Sequence, residues 1–321
     1  MALVPCKEIL NEAMKKGYGV GAYNVNNMEQ IQAVMMAAKM TQSPVIIQAS
    51  RGALKYFDLT YFKYLVKAAV IENPDIPIAI HLDHGNSLEL ILKALNIGFT
   101  SVMIDGSLME DGKTVSTYEY NVKVTRSVVE YAHSLGVSVE GEIGTLGGLE
   151  DNNMGSGSIY ITDPQEAKNF VNDTNVDFLA IAIGTSHGAY KFKNVANIDF
   201  NTLKKIRSLI DIPIVLHGAS SISKDLIYEV NKYGGKVFGT SGMPISLLQK
   251  AIKFGVSKIN IDTDGRLAVT AAIRKFLIEN PEKFDPRDYL GYARTVLSDL
   301  IASKMKAFGT LGHANDYVVG K

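Results

Sequence analysis

The 321-residue sequence predicts an α/β fold, a single closed (β/α)8 TIM barrel, on three observations. Short β-branched runs alternate with amphipathic, helix-length segments from one end to the other, which implies parallel strands joined by crossover helices. Eight such units over about 250 residues match a closed barrel better than an open sheet. A doubly wound nucleotide fold would want a G-x-G-x-x-G turn after its first strand, and "GVGAYNVNN" does not supply one.

The elements follow in order. Pro5–Lys16 reads as an extra helix closing the barrel floor. The predicted strands are Tyr18–Val25, Pro44–Ser50, Pro77–His84, Ser101–Ser107, Ser138–Gly144, Phe178–Gly184, Pro213–Ala219 and Val256–Thr263. Between them, segments such as "MEQIQAVMMAAKM" and "SLELILKALNIG" repeat apolar residues at i, i+3 and i+4. "TDPQEAKNFV" carries its own start signal, with Thr162 or Asp163 as cap and Pro164 in the first turn. Residues after about Asn280 read as a C-terminal helical appendage. No linker, low-complexity tract or solenoid repeat divides the chain, so the expectation is one domain over 1–321, with a barrel core at 18–280 and the appendage at 281–321.

Composition narrows the partners. The chain is 46% hydrophobic and 21% charged, with 33 basic and 33 acidic side chains, an ordinary globular balance. Zero net charge gives no reason to expect nucleic acid or an anionic membrane surface, so any anion site must be local. The single cysteine, Cys6, rules out an internal disulfide and favours a reducing compartment. "MALVPCKEILNEAMKKG" meets lysine and glutamate too early for a signal peptide, and no apolar run reaches spanning length. A cytoplasmic protein is expected.

Chemistry in such a barrel gathers at the C-terminal ends of the strands. Those ends hold Asn24, Ser50, Asp83, His84, Asp105, Glu140, Glu142, Ser186, His187, His217, Ser220, Asn260, Asp262 and Thr263, with Lys191 just beyond the sixth strand. Residues that merely solubilised the surface would be spread over both ends. The asymmetry points to a catalytic mouth. His84, His187 and His217 end the third, sixth and seventh strands, and three neutral imidazoles with an open position make a catalytic zinc site. Three separately hydrogen-bonded histidines are the plainer alternative. His81 lies on the opposite face from His84 if strand alternation holds, and is taken as structural. His133 and His313 are expected to be solvated or locally satisfied.

Small-residue turns, "GTSHGAY", "HGASS" and "NIDTDG", follow the last three strands and could converge backbone N–H groups on a phosphate, with Lys191 adding charge. Glu140 and Glu142 alternate to one strand face, where they hold a second cation or form a barrel-interior ion pair. Beyond them "LGG", Glu150 and "DNNMGSGS" make a long, unpatterned, glycine-rich loop of the kind that serves as a lid.

Taken together, "GAYNVNNMEQ", "PVIIQASRGA", "HLDHG", "VMIDGS", "GEIGTLGG", "AIGTSHGAYKF", "LHGASS" and "KINIDTDGRLA" resemble the class II, metal-dependent fructose-1,6-bisphosphate aldolases, in that family's order and over almost the whole chain. The resemblance implies zinc on His84, His187 and His217, and a catalytic aspartate at Asp83. It implies a displaced second divalent ion or a monovalent cation near Asp105 and Glu142, and a proton-moving carboxylate at Glu150. Asn260 would donate to the developing oxyanion. The dihydroxyacetone-phosphate end would meet Gly188, Lys191, Gly218, the Ala219 backbone, Ser220, Asn260, Ile261, Asp262 and Thr263. Asn24 and Ser50 would meet the other triose or its phosphate, and Arg266 would reach across a subunit interface of a homodimer or homotetramer. One departure is visible: "MEDGKTVSTYEYN" is longer than the family pattern leads one to expect. Three rivals stand beside this reading. They are the sister activity on tagatose 1,6-bisphosphate, a Schiff-base aldolase with a desolvated lysine in its mouth, and a non-catalytic sugar-phosphate or metal sensor.

Overall fold

The computed structural model describes residues 2–111, 114–145, 147–150, 153–154, 160–187, 198–238 and 242–317, with backbone alone at 147–150, 153–154 and 187. Helix α1 (Cys6–Lys16) comes first, then β1 (Val20–Asn24), α2 (Met28–Thr41), β2 (Val45–Ser50), α3 (Arg51–Phe57) and α4 (Leu59–Glu72). Next are β3 (Ile78–Gly85), α5 (Leu88–Ile97), β4 (Ser101–Ile104), α6 (Tyr118–Ser134) and β5 (Ser138–Ile143). Two short strands, β6 (Gly147–Glu150) and β7 (Asn153–Met154), precede α7 (Pro164–Thr174), β8 (Phe178–Ile181), β9 (Ser186–His187) and α8 (Phe200–Leu209). The chain continues through β10 (Ile214–Leu216), α9 (Lys224–Lys232), α10 (Ile245–Lys253), β11 (Val256–Ile261), α11 (Thr263–Glu279) and α12 (Pro286–Phe308).

Eight of these strands close into a parallel barrel in the order β1-β11-β10-β8-β5-β4-β3-β2. They are the eight predicted strands, each trimmed at one or both ends, except that β3 loses Pro77 but runs one residue further, to Gly85. The seventh predicted strand shrinks to β10 because Pro213 has no N–H to donate and Gly218 turns left-handed at φ +59. The fourth stops at Ile104, where Asp105 Oδ1 accepts from the Ser107 backbone N–H and hydroxyl and turns the chain away.

Two apolar layers follow from strand alternation. Ile78, Ile80 and Leu82 of β3 face the outer helices, while Ala79 faces the barrel interior with Ile46, Phe178 and Val215. Cys6, Ile9, Leu10 and Ala13 of α1 complete that inner cluster, so α1 plugs the floor as predicted. Its end is set by Gly17, left-handed at φ +76. Asp163 caps α7 by accepting from the N–H groups of Gln165 and Glu166, with Pro164 in the first turn. The C-terminal segment is helical as expected and packs against the barrel's outer layer. Leu297, Ile301, Met305 and Phe308 of α12 belong to the outer core, and α12 packs on α2 and α11.

The glycine-rich stretch after β5 differs from the expected unpatterned loop. β6 pairs in parallel with β9 and antiparallel with β7, a small sheet beside the mouth. No helix among the described residues is long and apolar enough to cross a membrane.

Candidate active site

Alternation along β3 turns His81 and Asp83 inward with Ala79, which alone would send His84 outward. It does not. His84 sits at φ +48, and the β3–β4 register slips between Leu82 and Gly85. The left-handed residue swings its imidazole back over the mouth, against the expectation that His81 and His84 take opposite faces. Holding a non-glycine residue there costs on the order of 1–3 kcal/mol, a strain that surrounding contacts must offset.

Those contacts fix both ends of the ring. His84 Nδ1 lies 3.2 Å from Asp105 Oδ2 and 3.9 Å from Glu142 Oε2. His84 Nε2 lies 2.8 Å from His217 Nδ1, with the two rings nearly perpendicular. On its other side His217 Nε2–H donates to Glu140 Oε1 at 2.6 Å. Burial drives the pKa of His217 down, against the hydrogen bond to Glu140 that raises it. Burial also opposes ionisation of Glu140. Lys258, His217 and His81 outweigh it and hold that carboxyl well below the usual range.

Each imidazole therefore meets a carboxylate with one nitrogen and the neighbouring ring with the other, His84 Nε2 and His217 Nδ1 sharing one hydrogen bond. A divalent ion bound there would replace the proton between the two nitrogens, since imidazole ligates through a deprotonated nitrogen. Carboxylate-backed histidines of this kind are how proteins orient metal ligands. The donor set thus fits a divalent ion. Asp83, His84 and His217 bring ligand atoms within 4.8 Å of one another, and so do His84, Asp105 and Glu142.

Asp83 is held from both sides. Asn24 Nδ2 donates to its Oδ2 at 2.8 Å and Asn260 Nδ2 to its Oδ1 at 3.0 Å. Burial favours the neutral acid, but His84, His217, Lys258 and the Asn24 bond together keep the pKa below its ordinary value. Gln48 Nε2 donates to Asn24 Oδ1 at 2.5 Å, and Lys258 Nζ to Asn260 Oδ1 at 2.8 Å and Glu140 Oε2 at 2.8 Å. One continuous network runs from Gln48 through Asp83 to His217. Glu140 serves this interior ion pair, whereas Glu142 faces His84.

Gln48 and Lys258 were not singled out from the sequence. A signal was present for Lys258, a lysine within the apolar run "VSKINI" two residues before Asn260 and hence on the same strand face. His81 sits beneath, its Nδ1 accepting from Ser101 Oγ at 2.7 Å and its Nε2 3.2 Å from Glu140 Oε2. Burial pushes its pKa down to about 4, so it stays neutral and steadies Glu140. His133 pairs with Asp177 at 2.8 Å and His313 with Asp316 at 2.5 Å, both far from the mouth along the barrel.

The remaining expected residues divide into those that gather and those outside the described residues. Gly188 and Lys191 lie outside them, as do the side chains of His187 and Glu150. The His187 backbone pairs with Gly148, and Glu150 pairs with Asn153. The backbone of Ser186 packs against Gly218, where an added Cβ would lie 2.6 Å from the Ser186 carbonyl. The chain carrying His187 is thereby tied to the turn carrying His217. Ala219 and Ile261 are buried, and Ser220 Oγ accepts from the Asp262 N–H at 3.2 Å, linking the last two turns. Thr263 opens α11. Ser50 caps α3 by accepting from Ala53 N–H at 3.3 Å. Arg266 Nε donates to Asp262 Oδ1 of its own chain at 2.7 Å.

Comparison with known proteins adds a family to this geometry. Residues 4–313 match the family model described as fructose-bisphosphate aldolase class-II. The chain is 52% identical over 321 residues to a fructose-bisphosphate aldolase of Giardia intestinalis, covering 99% of this chain and 97% of that protein. It is 46% identical over 330 residues to a fructose-bisphosphate aldolase of Pseudomonas aeruginosa, covering 98% and 93%. Among solved structures, the YdjI aldolase from Escherichia coli K12 superposes with a TM-score of 0.77 at 28% identity, covering 97% of this chain and 99% of that one.

Proposed function

The chain belongs to the class II fructose-bisphosphate aldolase family, and on that premise we propose that its mouth carries out the zinc-dependent, reversible cleavage of D-fructose 1,6-bisphosphate into dihydroxyacetone phosphate and D-glyceraldehyde 3-phosphate. The observation that carries this reading is the pair of carboxylate-backed imidazoles whose inward nitrogens lie 2.8 Å apart beside Asp83. His84 and His217, joined by His187, would hold the zinc, which when bound supplies a Lewis acid for a carbonyl oxygen. Asp105 and Glu142 orient His84 and offer a second cation position.

The chain's own residues do the rest. Asp83, ionised and fixed by two amides, accepts the proton of the C4 hydroxyl in cleavage and returns it in condensation. Asn260 donates to Asp83 and, at 3.1 Å, to His217 Nδ1. With zinc held by His217 at that nitrogen, the second amide hydrogen of Asn260 would be open to a substrate oxygen. Glu150 would move the proton at the nucleophilic carbon. Gly188, Lys191, the Gly218–Ala219–Ser220 turn and Asn260 through Thr263 would hold the dihydroxyacetone phosphate, the backbone N–H groups converging on its phosphate. Asn24 already serves Asp83, so its part at the second triose would be indirect, through the base; Ser50 would meet that triose directly. Arg266 would complete the second phosphate site from a neighbouring subunit of a homodimer or homotetramer. We read the chain as one cytoplasmic barrel domain.

Relatives named for the fructose sugar favour it over tagatose 1,6-bisphosphate. An aldol-cleavage assay on both bisphosphates, with and without EDTA, beside elemental analysis, tests the whole proposal. His84→Ala is expected to abolish zinc retention and turnover, and EDTA to reproduce the loss in the wild type. Full activity in metal-stripped protein would overturn the zinc assignment.

A further inference from the structure

A buried ion pair stands beside the two turns assigned to the phosphate, and the reaction as proposed does not use it. Lys304 of α12 pairs with the carboxylate of Asp264, in the first turn of α11, and donates to Ser221 Oγ at 2.5 Å. The two charged side chains are 4% and 0% exposed. Asp264 directly follows Thr263, and Ser221 directly follows Ser220. One ammonium therefore touches both turns, one residue beyond the groups that would face the phosphate. Ser220 Oγ and the Asp262 N–H make a second tie between the same turns.

Stability alone is a weak reason for such a pair, because an apolar pair of similar volume is often as stable or more so. What a buried ammonium adds is geometry. It carries three donors, and its attraction to a carboxylate is strong where water is excluded. The stem that delivers it is anchored, since Ile301, Met305 and Phe308 on either side of Lys304 are core residues.

We infer that Lys304 is a positioning residue for phosphate recognition. It fixes the spacing between the turn after β10 and the turn after β11, so that N–H groups from both reach one phosphate, without itself touching substrate. This rests on the phosphate reading of those turns given above.

The test compares Lys304→Met, the double variant Lys304→Met with Asp264→Leu, Ser221→Ala and Ser220→Ala in the zinc-loaded enzyme. Dihydroxyacetone phosphate is titrated by calorimetry, with thermal midpoint, zinc content, kcat and KM recorded beside it. Lys304→Met lowers the midpoint by leaving a buried carboxylate unpaired. The double variant recovers the midpoint, yet its Kd and KM stay raised about tenfold while zinc content and kcat change little, because the tie between the turns is still missing. Ser221→Ala, which keeps the ion pair, raises Kd by a smaller factor. Recovery of affinity together with stability in the double variant overturns the inference, as does a loss confined to kcat or zinc. Ser220→Ala reports on the cradle itself. Unchanged affinity there sinks the phosphate reading, whereas weakened affinity there with a wild-type Kd in the double variant sinks the role of Lys304 alone.

Discussion

Replacing Lys258 by Met keeps an unbranched stem in the barrel interior and removes one ammonium, so its effect can be worked out from two contacts. Lys258 Nζ donates to Glu140 Oε2 and to Asn260 Oδ1, each at 2.8 Å, and both side chains of the ion pair are fully buried. Deleting one partner of a buried pair costs about 3–5 kcal/mol, because the carboxylate left behind has neither water nor a counter-charge. For 321 residues, at ~2.1 cal/mol/K of unfolding entropy per residue, that is a fall of about 4–7 °C in the midpoint. The second contact concerns activity. Asn260 presents its Nδ2 to Asp83 because its Oδ1 is pinned by the ammonium; unpinned, the amide can rotate and withdraw that donor. A displaced donor of this kind is expected to lower kcat about tenfold to a hundredfold, with KM little changed. Calorimetric melting and steady-state cleavage of the bisphosphate read the two effects separately. A Lys258→Met protein that melts within about 1 °C of wild type, or that melts early but keeps full kcat, would falsify the network as drawn.

Asp83→Ala is expected to leave substrate binding nearly intact while kcat falls by about 10²–10⁴, the span of a lost general acid–base; a change confined to KM contradicts the role. Gly218→Ala places a methyl at φ +59 and 2.6 Å from the Ser186 carbonyl. Left-handed strain with the backbone clash predicts about 2–4 kcal/mol of destabilisation in urea, and weaker zinc retention because the turn joins the chains of His217 and His187. A wild-type urea midpoint would show that the close approach is not needed.

Strand positions were legible because eight β-branched runs must bury both faces in a parallel barrel, and that demand is written in composition. Strand ends were not, because they depend on single backbone angles. Nothing in "HLDHG" announces that His84 takes φ +48, yet that angle decides whether its ring meets His217 or the outer helices. The sheet of β6, β7 and β9 escaped notice because its glycines and asparagines have poor strand propensity and its pairing is with a distant segment. The partners of α12 follow a similar rule: an amphipathic helix shows which face is apolar, not which neighbour covers it.

Function was more legible than orientation, since ionisable groups at one rim mark a mouth whatever their rotamers. What the rim does not reveal is how charge is balanced beneath it. Asp83, Asp105, Glu140 and Glu142 bring four carboxyl groups to the mouth, and Lys258 meets only Glu140 among them directly. His81 is held neutral by burial and offers no compensating charge. So many carboxyl groups crowded into a dry mouth cost heavily unless cations join them. The same groups that orient the two imidazoles thus make a divalent ion favourable there. The interior lysine, by neutralising Glu140 alone, leaves the remaining negative charge beside His84, where the ligand atoms converge.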